Sequence, residues 1–163
     1  MPDGLYERDA LAWAEQQADL LRRLAAGERL NALVDWPNVI EEVEDVGRSE
    51  LRACESLLRQ AMVHLLKLHA WPSNPAAAHW RGEVAGFLAD ARRAFTPSMR
   101  QRIDLAGLYA DALYQAQAGA DDAAPVRKLP EACPFVLDEL LAGRPDVVKL
   151  IAGLDGGRTD DRT

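Results

Sequence analysis

Between Asp35 and Pro72 the chain reads DWPNVIEEVEDVGRSELRACESLLRQAMVHLLKLHAWP, with no proline after Pro37 until the last residue. Apolar or small residues recur at Ile40, Val43, Gly47, Leu51, Cys54, Leu58, Ala61, Leu65 and Leu68, in steps of three and four. That spacing belongs to one stripe of an α-helix. Val39, Val46, Leu57 and Met62 widen the stripe beyond a coiled-coil seam, as a bundle helix requires. The segment 37–70 is therefore predicted to be a single rod of roughly 50 Å, its apolar side covered by the rest of the chain. Asp35 is placed to cap its free amides, and Pro37 suits a first turn that needs no donor. Glu41, Glu42, Glu44 and Asp45 sit at the positive end of the helix dipole. Pro72 ends the segment. Gly47 is the expected weak point, either a kink or a place where a neighbour comes close.

Helical patterns account for the remainder. Residues 5–26 form a first helix with Tyr6, Ala10, Trp13, Leu20, Leu21 and Leu24 on one face, Asp3 as its cap and Gly27 as its stop. The connection 27–34 carries Leu30, Leu33 and Val34 and is expected to pack down. Ser73-Asn74-Pro75 opens a third helix, antiparallel to the long one, with the stripe Trp80, Val84, Phe87, Leu88, Ala91 and Phe95. Thr96-Pro97-Ser98 breaks the chain, and Thr96 or Ser98 is expected to cap a fourth helix marked by Met99, Ile103, Ala106, Ala110 and Leu113. Residues 119–130 read as a surface loop. A short helix starts at Cys133-Pro134 and runs through Leu141, and another begins at Pro145. No period-two pattern is present. The fold class is all-α: an antiparallel bundle of four main helices with short C-terminal ones. At 163 residues and 48% hydrophobic content, one domain over 1–152 is expected, with 153–163 a disordered tail.

Composition excludes several classes. No apolar run approaches the roughly 20 residues of a membrane span. MPDGLYERDA is too acidic for a signal or transit peptide. Cys54, inside a stripe, and Cys133, before a proline, do not make a disulfide framework, so a soluble, cytoplasmic setting is expected. A net charge of −7 disfavours a phosphate-backbone binder. Arg92, Arg93, Arg100 and Arg102 are the one basic patch.

Polar residues interrupt the long stripe. Glu50 and His64 share the face of Val43, Leu57 and Trp71, where the pattern calls for apolar side chains. About 21 Å separates them along a helix, so each needs its own partners. Folding the chain back near residue 73 sets His64 beside His79 and Glu83, and Glu50 beside Arg92, Arg93 and Arg100. An ion pair with an arginine is the expected state of Glu50. His64, Lys67, His79 and Glu83 admit an acid–base or metal site, with His64, His79 and Glu83 as ligands. Neither HExxH nor the Glu-x-x-His pairs of di-iron bundles occur, so no metal is predicted. EEVED reads as a solvated or salt-bridged face, in which Glu41, Glu44 and Asp45 pair by spacing with Arg48 and Glu42 points elsewhere. Cys133, if at a helix cap, would have a lowered thiol pKa and is a candidate nucleophile, with a small structural residue as the expected reading. No phosphate loop, GxSxG or dinucleotide fingerprint is present, and no cofactor is expected.

Tyr6 with Asp9 and Trp13, DWPNVIEEVEDVGRSELRACES, HLLK at 64–67, Trp80, TPSMR at 96–100 and LPEACP at 129–134 together resemble the bacterial family catalogued as domain of unknown function 29. The likeness covers roughly residues 5–142. Leu129 departs from it, standing where an aromatic often precedes the proline, and LNALVDWP lengthens the approach to the long helix. The resemblance implies a small helical protein and carries no activity. From the residues themselves, the function expected is a non-enzymatic helical interaction module that binds a protein partner or itself as a homodimer. The alternatives are a metal-assisted or acid–base enzyme using His64, Lys67, His79 and Glu83 at the hairpin, with Glu50 a further catalytic candidate, and a nucleic-acid-linked regulator.

Overall fold

The structure is a computed structural model and describes residues 4–120 and 124–156. The cap expected at Asp3, residues 121–123 of the expected loop and residues 157–163 of the expected tail lie outside the described residues. Seven α-helices are present among the described residues, four of them substantial, and no strand. Packing divides the chain inside its longest helix into two compact units, Met1–Ser49 and Glu50–Thr163.

In the first unit, the helix expected over 5–26 is two. α1 spans Leu5–Arg8 and α2 spans Ala10–Ala25. Asp9 breaks them with φ −154° and ψ 83°, and its carboxylate accepts the Ala12 amide at 3.0 Å. A short acidic side chain stabilises a helix start more than a helix interior, which is the physical reason for the break. Gly27, at φ 96°, then ends the segment in a conformation that a side chain would disfavour. A 3₁₀ turn at Asn31–Leu33 leads into α3. The connection packs down at Val34, which is buried, while Leu33 stays 63% exposed.

α3 spans Trp36–Ala70, close to the segment the stripe predicts. Its two halves differ. From Cys54 onward the stripe is core: Cys54, Leu58, Ala61, Met62, Leu65, Leu66 and Leu68 are all buried. The amino half is not, with Ile40, Val43 and Val46 55%, 69% and 66% exposed. The stripe is thus not covered along its whole length, contrary to what its periodicity predicts, but is largely open to solvent at those three residues. Gly47 is helical, and the space a Cβ would fill is open, so it marks no close approach by a neighbour.

In the second unit α4 spans Ala77–Ala94 and runs antiparallel to α3. Cys54 Sγ meets the Ala91 carbonyl at 3.6 Å, and Lys67 Nζ lies 5.7 Å from the Trp80 ring. Asn74 shapes the turn by accepting the Ala76 amide on its side chain at 2.8 Å. The break at 96–98 is a 3₁₀ turn, Pro97–Met99, in which Thr96 and Ser98 hydroxyls bond each other at 3.1 Å. Neither caps a helix. α5 starts later than expected, at Leu105, runs to Ala118, and is capped by Asp104 through the Gly107 amide. α6 is a single turn, Leu137–Leu140, and α7 spans Val147–Ala152 with Asp146 as cap. Within residues 153–156, at the start of the expected tail, Leu154 is 3% exposed and joined to the core, while its neighbours 153, 155 and 156 are exposed. No helix among the described residues is long and apolar enough to cross a membrane.

Backbone protection follows apolar cover, because exchange from a helix requires local opening and exposed segments open at low cost. Hydrogen exchange of the full chain, read by mass spectrometry, is expected to be slower over 55–69 than over 40–49 by about a hundredfold or more. Equal rates over the two halves would contradict the burial pattern.

Candidate functional site

The first unit holds a cleft of about 530 Å³ whose walls come from α1, α2 and the start of α3. Trp13 and Gln17 lie one turn apart on α2, so they face the same way, and both are buried. Asp35, at the foot of α3, is 8% exposed. Its Oδ2 accepts the Trp13 indole Nε1–H at 3.1 Å and the Asn38 side-chain amide at 2.7 Å. Its backbone amide donates to Gln17 Oε1 at 2.8 Å. The expected role of the Asp35 side chain, capping the amides of α3, is thus corrected: among the described residues it serves Trp13 and Asn38 side chains instead. A buried carboxylate needs donors, and an indole N–H one helix away supplies one that a solvated cap does not use.

Tyr6 closes this side. Its ring meets Trp13 edge-to-face, with centroids 4.9 Å apart, and its hydroxyl donates to Glu42 Oε1 at 2.6 Å. The bonded Glu42 carboxylate, then burial, then the charges of Glu42, Glu41 and Asp45 push the Tyr6 pKa up to about 12. Tyr6 therefore stays a hydrogen-bond donor at neutral pH. Arg48 bonds Asp45 at 2.7 Å and Glu44 at 3.2 Å, so EEVED is in part a salt-bridged face, as its spacing predicts.

The residues singled out from the sequence lie in the second unit. His64 is half-buried, its ring 5.7 Å from that of Phe87, and its Nδ1 is buried without a hydrogen-bond partner. Burial first, then the Lys67 charge, hold its pKa below the ordinary 6.5; Glu83 opposes them, and His79 adds slightly. Lys67, Glu83 and His79 thus lie close enough to His64 for their charges to bear on it. His79 nevertheless stands 72% exposed, with Nε2 3.9 Å from Glu83 Oε1. Among the described residues no three His, Cys, Asp or Glu side chains gather to hold a metal ion.

Glu50 is exposed, and the expected ion pair with an arginine is absent among the described residues. The arginines are used elsewhere. Arg92 donates to the Gly143 carbonyl at 2.8 Å, Arg93 pairs with Asp90 at 2.9 Å, and Arg100 pairs with Asp138 at 2.7 Å. Cys133 is half-buried, and the following helix is capped at Val136 instead. Its thiol donates to the Phe135 carbonyl at 3.8 Å, and burial raises its pKa, the reverse of what a nucleophile needs.

Sequence reasoning passed over two positions. Gln17 occupies the apolar face of α2, four residues after Trp13, and was visible by the same test that flagged Glu50 and His64. His69, four residues after Leu65 on the buried stripe, is 1% exposed. Its Nε2–H donates to the Lys128 carbonyl at 3.2 Å, and Nδ1 lies 3.8 Å from Asp155 Oδ1.

The lowered His64 pKa has a sign. Unfolded histidine takes up a proton near pH 6.5, whereas the folded imidazole resists it to lower pH, so the unfolded state binds more protons between the two values. The contribution is fully present above about pH 6.5 and is lost as pH falls through the folded value. Thermal melts from about pH 7 to about pH 5 are expected to show a smaller fall in stability for His64→Gln than for the wild type. Parallel curves would count against it.

A family model described as "Domain of unknown function DUF29" matches residues 5–144. A solved structure, an alpha-helical protein of unknown function from Rhodospirillum rubrum, is similar at 35% identity and a TM-score of 0.71, covering 93% of this chain and 98% of that one. No curated protein matches. Of the residues that carry the resemblance in the first unit, Tyr6, Trp13 and Asp35 line the cleft, and Tyr6 also bonds Glu42 outside it. The chain belongs to the DUF29 family.

Proposed function

We propose that this chain is a non-enzymatic helical interaction module that docks a protein partner on the amino half of α3. The observation that carries the reading is the exposure of Ile40, Val43 and Val46 at 55%, 69% and 66% along a helix that buries the same stripe further on. Three large aliphatic side chains within two turns form a contiguous apolar strip, unlike the scattered exposed residues of an ordinary surface. The strip is bordered by Glu41, Glu42, Glu44 and Asp45, against which the same stretch sets only Arg48. Charge complementarity therefore favours a partner helix whose apolar stripe is flanked by lysine or arginine. A second copy of this chain would bring acid against acid.

The test is a titration of the full chain with a designed amphipathic helical peptide, leucine-striped and lysine-flanked, alongside a glutamate-flanked twin. Only the lysine peptide is expected to bind, with affinity falling as salt rises. The double variant Val43→Asp, Val46→Asp is expected to weaken binding about tenfold or more while shifting stability by less than about 0.5 kcal/mol, since both side chains are exposed. Equal binding by the variant would remove the strip from consideration. Light scattering that shows a dimer dissolved by the same substitutions would make a second copy the occupant and overturn the heterologous reading.

A further inference from the structure

The first-unit cleft contains more than its hydrogen bonds explain. Both side-chain donors to Asp35 fall on Oδ2. Among the described residues no hydrogen bond reaches Oδ1, although Asp35 is 92% shielded from solvent and lines the cleft. Oδ1 is therefore the side of this largely buried carboxylate that remains open to the cleft, free to accept a donor that a ligand brings in exchange for water. The cleft is also large enough for a ligand: about 530 Å³ lies within the range of small-molecule pockets.

Its lining narrows the ligand chemistry. Two carboxylates, Glu7 and Asp35, face one guanidinium, Arg8, which donates to the Gly4 carbonyl. An anion would meet the excess of negative charge directly. A metal ion needs several oxygen or nitrogen ligands converging at one point, and no such group of three gathers among the described residues. Aromatic surface is present instead. Trp13 and Tyr6 stand edge-to-face beside Asp35, and a ring face together with a carboxylate is the pairing that desolvated organic cations prefer. The Trp13 and Asn38 donors fix the carboxylate plane from one side, so Oδ1 is held ready for a donor arriving from the cleft.

We infer that this cleft binds an organic cation of the alkylammonium or alkylguanidinium class, anchored on Asp35 Oδ1 and packed against Trp13 and Tyr6. The cation can be a free amine or a lysine or arginine side chain on another protein. The recognition chemistry is shared. The inference stands apart from the docking strip on α3, which uses other residues.

The experiment is a ¹H–¹⁵N spectral titration of the full chain with butylammonium chloride, butylguanidinium chloride and a blocked Ala-Arg-Ala peptide, with sodium chloride at matched ionic strength as reference. Saturable movement of the Trp13 indole N–H and the Asn38 side-chain amide is expected with an organic cation and not with sodium. Asp35→Asn is expected to weaken the response about tenfold or more, and Glu7→Gln, an exposed wall residue, about twofold to threefold. Tighter binding of the tripeptide than of butylguanidinium would assign the site to a protein side chain, and the reverse order to a free cation. The Val43→Asp, Val46→Asp variant is expected to respond like the wild type, so this site and the docking strip fail independently. Absence of saturable movement at Trp13, or an equal response to sodium, would overturn the inference without recourse to any variant. So would an undiminished response in folded Asp35→Asn.

Discussion

The second unit depends on the burial of one stretch of helix. Between Cys54 and Ala70, α3 gives up its solvent on nearly every side, and α4, α5 and the C-terminal turns share a single apolar cluster with it. Each large aliphatic side chain in that cluster contributes about 1.5–3 kcal/mol by leaving water, and truncation to alanine would cost about 2–5 kcal/mol. Polar groups inside it are accommodated individually. Tyr109 donates to the Pro130 carbonyl at 2.6 Å, and the His69 imidazole donates to Lys128, so two helices hold the 128–130 strand of chain in place by side-chain donors. Backbone does the same where the Val126 amide meets the Ala70 carbonyl at 2.8 Å.

The same helix behaves differently before residue 50. There it carries aliphatic residues at the same spacing, yet they face solvent, and the structure is held at its foot by polar pairing. The Trp13–Asp35–Gln17 arrangement ties α2 to the start of α3 through buried hydrogen bonds, which are directional where apolar contact is not. That directionality fixes an indole, a carboxylate and a phenol around one cleft. A segment rich in unspent apolar surface and a shaped polar cleft are both features that an isolated globule does not require.

Much of this architecture was legible in the sequence. A stripe repeating in threes and fours located α3 to within a residue at its start, and the Pro72 stop and the antiparallel return of α4 followed from local chemistry. What periodicity cannot say is whether a covering element exists, because a helix face is a local property and its burial a tertiary one. Val43 and Leu65 look alike in sequence and differ completely in the fold. The same limit explains the missed break at Asp9, where a cap outcompeted helix continuation, and the late start of α5, where Asp104 outcompeted Thr96 and Ser98. Glu50 and His64 drew attention as polar residues on an apolar face; Gln17 satisfies the same criterion, and its partner was hidden because it is a backbone amide, that of Asp35, which no side-chain pattern marks.

The central claim is that one continuous helix is core in its second half and bare surface in its first. Hydroxyl-radical footprinting of the full chain, with oxidation read residue by residue, tests it most directly because it reports side-chain exposure. Ile40, Val43 and Val46 are expected to be modified readily while Leu58, Leu65 and Leu66 are protected; protection of all six alike would contradict the account.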